Sequence, residues 1–143
     1  MKNRILQKLD EMNRYLDELD ELLPSKEEYD NNLMVRRACE KTIESAIEAV
    51  ISITSIIVSK GKLGLPQSED DLIDILEKKR IVSPKLSALL KEMKGFRNIL
   101  VHKYGEIDNA KVYHFLSTEA GDFTLFQKEV TQHLRKVEDK KKR

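Results

Sequence analysis

The chain is poor in several residue types that would restrict its fold or its location. It has one cysteine, no tryptophan, three prolines and five glycines in 143 residues. A single cysteine, Cys39, excludes an internal disulfide and fits a reducing cytoplasm, and we interpret it as a small buried apolar residue. We find no apolar run of the ~20 residues that a membrane span needs. The first residues lead into an amphipathic stretch and not into an apolar signal core. A cytoplasmic protein without a membrane partner is therefore expected.

Sequence motifs for metals and nucleotide cofactors are also missing. The chain has no Cys/His cluster, no His-Glu-x-x-His pair and no glycine-rich phosphate loop. His114 and His133 have no partners at metal-ligand spacing, so we assign them packing or surface roles. The sequence therefore predicts neither a metal nor a cofactor.

Charged residues are abundant and unevenly distributed. They make up 36% of the chain, against 40% hydrophobic residues, which is typical of a soluble, helix-rich domain. The net charge is only +1, yet residues 76–104 hold eight basic side chains and two acidic ones. This local excess predicts a positive field that suits a polyanion, although a solvated helix face would have the same composition.

The apolar periodicity predicts helices throughout. The first runs from about residue 5 to Pro24, and a capping box at Ser25–Glu28 then opens a second helix over about 26–60. Gly61 is its expected stop, and a loop follows over 62–67.

Three further helices are predicted after that loop. Ser68 opens a short helix, and Ser83-Pro84 opens a fourth that ends near 102–104. Asp108 caps the last segment, with an interruption expected at Gly121-Asp122. No strand pattern is present. We therefore predict an all-α, single-domain antiparallel bundle of four to six helices over residues 1–139, followed by a solvated basic tail at 140–143.

The fourth predicted helix ends in the most informative stretch of the chain. Its sequence from 96 to 104, FRNILVHKY, contains the pattern Arg-x4-His-x-Tyr, formed by Arg97, His102 and Tyr104. Arginine is a permanent cation with a planar donor fork that matches phosphate. Histidine exchanges a proton near neutral pH. Together these two groups suffice to cut RNA without a metal.

This stretch resembles the signature of the HEPN superfamily, and specifically of HepT-type toxin ribonucleases. The similarity extends from Lys94 through Tyr104 to Ile107-Asp108, and the helical layout from about 5 to 137 also fits. The resemblance implies a metal-independent endoribonuclease, the toxin of a type VII-like toxin–antitoxin system, which leaves a 2′,3′-cyclic phosphate and spares DNA. Arg97 and His102 would be its catalytic residues.

The resemblance also implies roles for neighbouring residues and a protein partner. Asn98, Lys94, Lys103 and Tyr104 would bind the RNA. The partner would be a cognate antitoxin, a MntA-type minimal nucleotidyltransferase. Tyr104 stands where members of this family accept AMP, so it is also the expected modification site.

Helical geometry places a condition on any such site. At ~100° per residue, Arg97 and Tyr104 share a face, whereas His102 lies roughly 140° from Arg97 around the axis. Either the helix unwinds near His102, or a second copy of the helix completes the site. HEPN proteins use the second solution, because a two-fold axis brings both motifs to one cleft. We therefore expect a homodimer whose interface includes the fourth and second predicted helices.

Simpler roles are open for each motif residue. Arg97 could form an ion pair, for example with Glu40 or Glu44. His102 could interact with the negative end of its helix. Tyr104 could be half-buried packing.

A second charged cluster on the second predicted helix is weaker evidence for a site. Arg36, Arg37, Glu40 and Glu44 could form a wall of the cleft or orient Arg97. They could equally pair within the helix, as Arg36 with Glu40. For the whole chain, the alternatives are a non-catalytic HEPN module that docks a nucleotidyltransferase or binds nucleotide or RNA without cleavage, and a structural helical adaptor.

Overall fold

The computed structural model describes residues 2–102, 107–118 and 120–142. Over these ranges the chain forms seven α-helices and no strand, which confirms the all-α prediction; the number of helices exceeds the predicted four to six. The helices are α1 (Lys2–Leu22), α2 (Lys26–Asn31), α3 (Leu33–Lys60), α4 (Glu69–Lys78), α5 (Pro84–His102), α6 (Asn109–Thr118) and α7 (Ala120–Lys142).

Polar side chains begin several helices at the predicted positions. Ser25, Ser68 and Ser83 each accept a hydrogen bond from the backbone N–H three residues on, at 3.1–3.3 Å. Asp108 accepts from the N–H of Ala110 at 3.0 Å. These side chains satisfy N–H groups that have no partner inside their own helix, and they fix the starts of α2, α4, α5 and α6.

The predicted continuous helix over 26–60 is wrong, because the chain breaks at Asn32. This residue has φ −126° and ψ 98°, and its side chain accepts from the N–H of Val35 at 3.1 Å, so it caps α3. Arg36 stabilises the break from the other side, since its Nη1 donates to the carbonyls of Tyr29 and Asp30 at the end of α2. A side chain that competes with the helical backbone therefore divides the segment.

Two further helix boundaries differ from expectation. Gly121 and Asp122 lie inside α7, so the predicted interruption at these two residues is wrong. Gly61 does cap α3, but it has an ordinary helical φ of −79°, and Lys62 is the residue with a left-handed φ of 52°. At its other end α7 continues to Lys142, so the boundary of a separate tail stays a prediction.

Helix α3 forms the centre of the core. It packs against α1, α2, α4 and α5, and twelve of its residues are buried. Its length and mean hydropathy of 1.5 would suit a membrane span, but 61% of that window is buried inside the protein. It is therefore the core helix of the bundle.

Cross-helix contacts confirm the antiparallel arrangement. Lys2 pairs with Glu138, and Asn13 Nδ2 donates to Gln127 Oε1 at 2.9 Å, so α1 and α7 run in opposite directions. The ion pairs between α4 and α5 described below show the same for those helices.

Candidate functional site

Helix α5 carries the Arg-x4-His motif and is anchored at both ends. At its start, the Glu129 carboxylate of α7 accepts from the Ser83 backbone N–H at 2.5 Å and from the Ser83 hydroxyl at 2.8 Å. Toward its end, the Phe96 ring stacks on Phe115 of α6 with 3.9 Å between centroids and 9° between planes. The helix is thus a rigid support for the residue that follows Phe96.

That residue, Arg97, is held by two acceptors. Its Nη2 donates to Glu69 Oε1 at 2.5 Å and to Asn98 Oδ1 at 3.0 Å, and only 17% of its side chain is exposed. One acceptor therefore lies on the next residue of the same helix and the other on α4. Pairing with Glu40 or Glu44 is wrong, because the partner comes from the first turn of α4.

Three ion pairs connect α4 to α5. Besides Glu69–Arg97, Lys94 pairs with Asp70 at 2.8 Å and Lys91 with Asp74 at 2.6 Å. The Lys94 ammonium holds the pKa of the Asp70 carboxyl below its usual range. The carboxylate of Asp74 raises the pKa of Lys91.

These pairs change the electrostatics that the sequence indicates. Residues 76–104 carry a formal positive excess, but carboxylates of α4 pair with three of these basic side chains, Lys91, Lys94 and Arg97. The field along α5 is therefore weaker than the local composition predicts. In the sequence, the acidic residues 69–71 indicate only the start of a helix. Glu69 is therefore missing from the predicted site.

His102 is the last residue of α5, and its side chain is exposed. The helix is continuous from Arg97 to His102, so unwinding before His102 does not occur. By helical geometry the two side chains leave the axis roughly 140° apart, and one copy of α5 does not aim both at one phosphate. The predicted site residues Lys103 and Tyr104 lie outside the described residues.

The face of α5 that carries His102 is exposed and combines small and apolar residues with one carboxylate, Glu92. Residues Ala88, Gly95, Ile99 and His102 follow one another at spacings of seven, four and three, which places them on one side of the helix. Ile99 is 41% exposed, and a Cβ built on Gly95 would meet nothing within 4 Å. Small and apolar residues in this pattern allow another helix to approach closely.

The second charged cluster forms pairs within α3. Arg37 Nη1 donates to both carboxylate oxygens of Glu40 at 2.8 Å, and Lys41 lies 3.6 Å from Glu44. The predicted Arg36–Glu40 pair is wrong, since Arg36 binds carbonyls of α2. The cluster therefore stabilises the α2–α3 region and does not orient Arg97.

A cavity of about 600 Å³ lies away from the motif. It is formed by the turn between α4 and α5 and by α7, with Arg80, Lys128 and His133 in its lining. Burial, and then the nearby Lys136 and Lys140, lower the pKa of His133. Cys39 is fully buried, as expected, and burial raises the pKa of its thiol.

Comparison with known proteins identifies this arrangement. The family model for Ribonuclease HepT-like proteins matches residues 12–130. The mRNA nuclease HepT of Shewanella oneidensis is 27% identical over 126 residues, which cover 88% of this chain and 95% of that protein. The tRNA nuclease HepT of Aphanizomenon flos-aquae is 27% identical over 133 residues, covering 92% and 90%.

A solved structure shows the same fold at full length. The tri-AMPylated HEPN toxin of Shewanella oneidensis, in complex with an MNT antitoxin, superposes with a TM-score of 0.86. The two are 26% identical, and the match covers 92% of this chain and 99% of that one. Because the family model spans most of the sequence and the relatives are covered almost completely, this chain belongs to the Ribonuclease HepT-like family.

Proposed function

We propose that this protein is a metal-independent endoribonuclease and the toxin of a type VII-like toxin–antitoxin system. One observation carries the proposal. A chain of this ribonuclease family holds Arg97 in a fixed pose and exposes His102 on the same rigid helix. These are the groups that transfer of an RNA phosphate requires.

The proposed reaction needs two proton transfers and one stabilised charge. A His102 imidazole removes the proton from a 2′-hydroxyl as the 2′-oxygen bonds to phosphorus. The bond from phosphorus to the 5′-oxygen breaks, and an imidazolium returns a proton to that leaving oxygen. The Arg97 guanidinium stabilises the additional negative charge on the pentavalent phosphorus. The products are a 2′,3′-cyclic phosphate and a 5′-hydroxyl, and DNA is spared because it lacks the nucleophile.

The site is completed by a second copy of the chain. Arg97 and His102 diverge on one continuous helix, so a two-fold axis beside α5 is the simplest way to bring an arginine and a histidine to one phosphate. The exposed face of Ala88, Gly95 and Ile99 supports close contact between two α5 helices.

The substrate is RNA bound in the cleft between the two copies. Lys94, Asn98 and Lys103 contact its phosphates, and Tyr104 stacks on a base or hydrogen-bonds a phosphate. Lys94 reaches the RNA by exchanging its partner Asp70, whose side chain is half exposed, for a phosphate. The two curated relatives act on mRNA and tRNA respectively, so the family fold accommodates either class.

The partner in the cytoplasm is a minimal nucleotidyltransferase that acts as antitoxin. A structural relative binds an MNT antitoxin and carries AMP, which supports the same relationship here. We place the modification on Tyr104, two residues after His102 in the sequence. Added bulk and negative charge at that position would block an RNA cleft.

The decisive test is cleavage of single-stranded RNA by the purified protein in EDTA. The intact protein should cut, and His102→Ala should lower the rate by roughly 10²–10⁴-fold, the usual contribution of an acid–base group. His114→Ala is the matched control, because His114 is also exposed but lies on α6. A DNA strand of the same sequence should remain whole.

The outcomes separate the candidate functions. Cleavage that survives in EDTA and disappears in His102→Ala supports the nuclease. Tight RNA or nucleotide binding by the intact protein without any cleavage would instead support the non-catalytic HEPN module.

A further inference from the structure

We propose that Glu69 is a positioning residue of the active site and sets the pose in which Arg97 meets the phosphate. This inference rests on the proposed ribonuclease function and adds α4 to its machinery. Its basis is the 2.5 Å contact between Glu69 Oε1 and Arg97 Nη2, formed across two helices and 28 positions of sequence.

The carboxylate is presented by a rigid part of the molecule. Glu69 is the first residue of α4, whose start is capped by the Ser68 hydroxyl on the Asp71 N–H at 3.1 Å. Asp71 in turn accepts from the Gln67 N–H at 2.9 Å. Buried Leu72, one turn on, helps to fix the helix in the core. The position of Glu69 is therefore set by the fold and not by the substrate.

The contact leaves a defined part of the guanidinium for the substrate. A guanidinium has five N–H donors, two of them on Nη2. Glu69 and Asn98 occupy both of these. Among the residues that the structure describes, none accepts a hydrogen bond from Nη1 or Nε, so three N–H groups of a fixed plane remain available to a phosphate. Such pre-organisation favours the transition state, since the donors need not reorient as the charge develops.

The same carboxylate opposes binding of the ground state. A negative charge beside Arg97 reduces the attraction of that site for any phosphate. Removing it should therefore leave RNA affinity unchanged or increase it, while catalysis falls because the guanidinium loses its orientation. If the ion pair only joined two helices, its loss would not lower catalysis while leaving RNA affinity unchanged or increased.

The chain offers a matched control for the structural role. Asp74 also pairs from α4 to α5, with Lys91 at 2.6 Å, and that pair has no proposed part in the reaction. If the ion pairs only hold α4 against α5, Glu69→Ala and Asp74→Ala should behave alike.

The experiment measures kcat for cleavage of single-stranded RNA, and the Kd of the same RNA made non-cleavable by 2′-O-methylation. Glu69→Ala should lower kcat by roughly ten- to a hundredfold, as a displaced catalytic group does, with a Kd no weaker than that of the intact protein. Asp74→Ala should stay within about twofold for both quantities, which is the level expected for an exposed pair. Glu69→Gln should recover most of kcat, because its amide oxygen still accepts from Nη2.

A double variant tests whether Glu69 acts through Arg97. Glu69→Ala combined with Arg97→Ala should be no slower than Arg97→Ala alone, since Glu69 acts only through Arg97. Three results would overturn the inference without contradicting the proposed ribonuclease function. They are equal kcat for Glu69→Ala and Asp74→Ala, weaker RNA binding in Glu69→Ala, or additive effects in the double variant. An intact protein that cuts no RNA would overturn both, and is recognised without any Glu69 variant.

Discussion

Arg97 carries a permanent charge on a side chain that is only 17% exposed, so its surroundings must supply acceptors. Glu69 and Asn98 provide them on one nitrogen. His102 has the opposite environment, because it is exposed at the end of α5. The proposed site therefore combines a pre-oriented cation with an accessible proton carrier.

Tyr104 is the residue whose modification we predict. When the protein is co-expressed with the minimal nucleotidyltransferase proposed as its partner, we expect intact mass to rise by one AMP for each modification. The tyrosine oxygen bonds to the α-phosphorus of ATP and pyrophosphate leaves, so Tyr104→Phe, which lacks that oxygen, should lack the adduct. RNA cleavage by the modified intact protein should fall to the level of His102→Ala, because the adduct adds volume and charge to the cleft.

Tyr113→Phe is the appropriate control for this prediction. The Tyr113 hydroxyl is engaged with the Pro24 carbonyl at 2.8 Å, so it is a poor acceptor of AMP and its loss should leave the adduct unchanged. An adduct of undiminished mass on Tyr104→Phe would reject Tyr104 as the acceptor.

The sequence names the residues of the proposed site, whereas it did not predict the partner of Arg97. Arg97 and His102 are recognisable because their chemistry and spacing are local properties of the sequence. The pairing of Arg97 with Glu69 depends on the packing of α4 against α5. Glu40 and Glu44 offered the same chemistry at other positions, and only the fold distinguishes among them.

At the scale of helices, boundaries depend on individual polar side chains. Apolar periodicity continues through residues 26–60 and therefore predicts one helix. The two helices seen there result from one amide, since Asn32 caps α3 and ends α2. Periodicity reports which side of a helix is buried, and it does not report competition between a side chain and the backbone.

We predict that Asn32→Ala destabilises the protein by about 1 kcal/mol, the typical cost of losing a helix N-cap. The N–H of Val35 would lose the acceptor it now contacts at 3.1 Å. The free energy of unfolding in urea measures the effect. Asn31→Ala is the control, because the Asn31 amide only donates to Glu27 O on the exposed surface, and we expect its cost to stay within about 0.5 kcal/mol. Equal costs for the two variants would show that the cap contributes nothing of its own.

At the scale of the whole molecule, the all-α antiparallel bundle followed from general features. Periodic apolar positions and serine caps predict most of the helices, and a 143-residue chain has one way to bury so many amphipathic faces, which is against each other. The proposed site calls for more than one chain. Arg97 and His102 diverge on α5, so we propose that a two-fold axis brings an arginine and a histidine together.

The exposed face of α5 therefore carries the last prediction, which concerns assembly. Ile99 is 41% exposed and shares that face with His102. A carboxylate at this position would be buried without a partner in a symmetric α5–α5 contact and would meet its own copy there. Ile99→Asp should therefore convert a dimer to a monomer in sedimentation experiments, with helical content retained.

RNA cleavage should disappear together with the dimer, because a monomer separates Arg97 from the histidine that it needs. Leu65→Asp is the matched control, since Leu65 is 91% exposed in the loop before α4, and this variant should remain dimeric and active. Cleavage by a monomeric Ile99→Asp at the rate of the intact protein would show that one chain suffices. Arg97 and His102 would then have to reach one phosphate from opposite sides of a single helix, which the continuous α5 makes geometrically unfavourable.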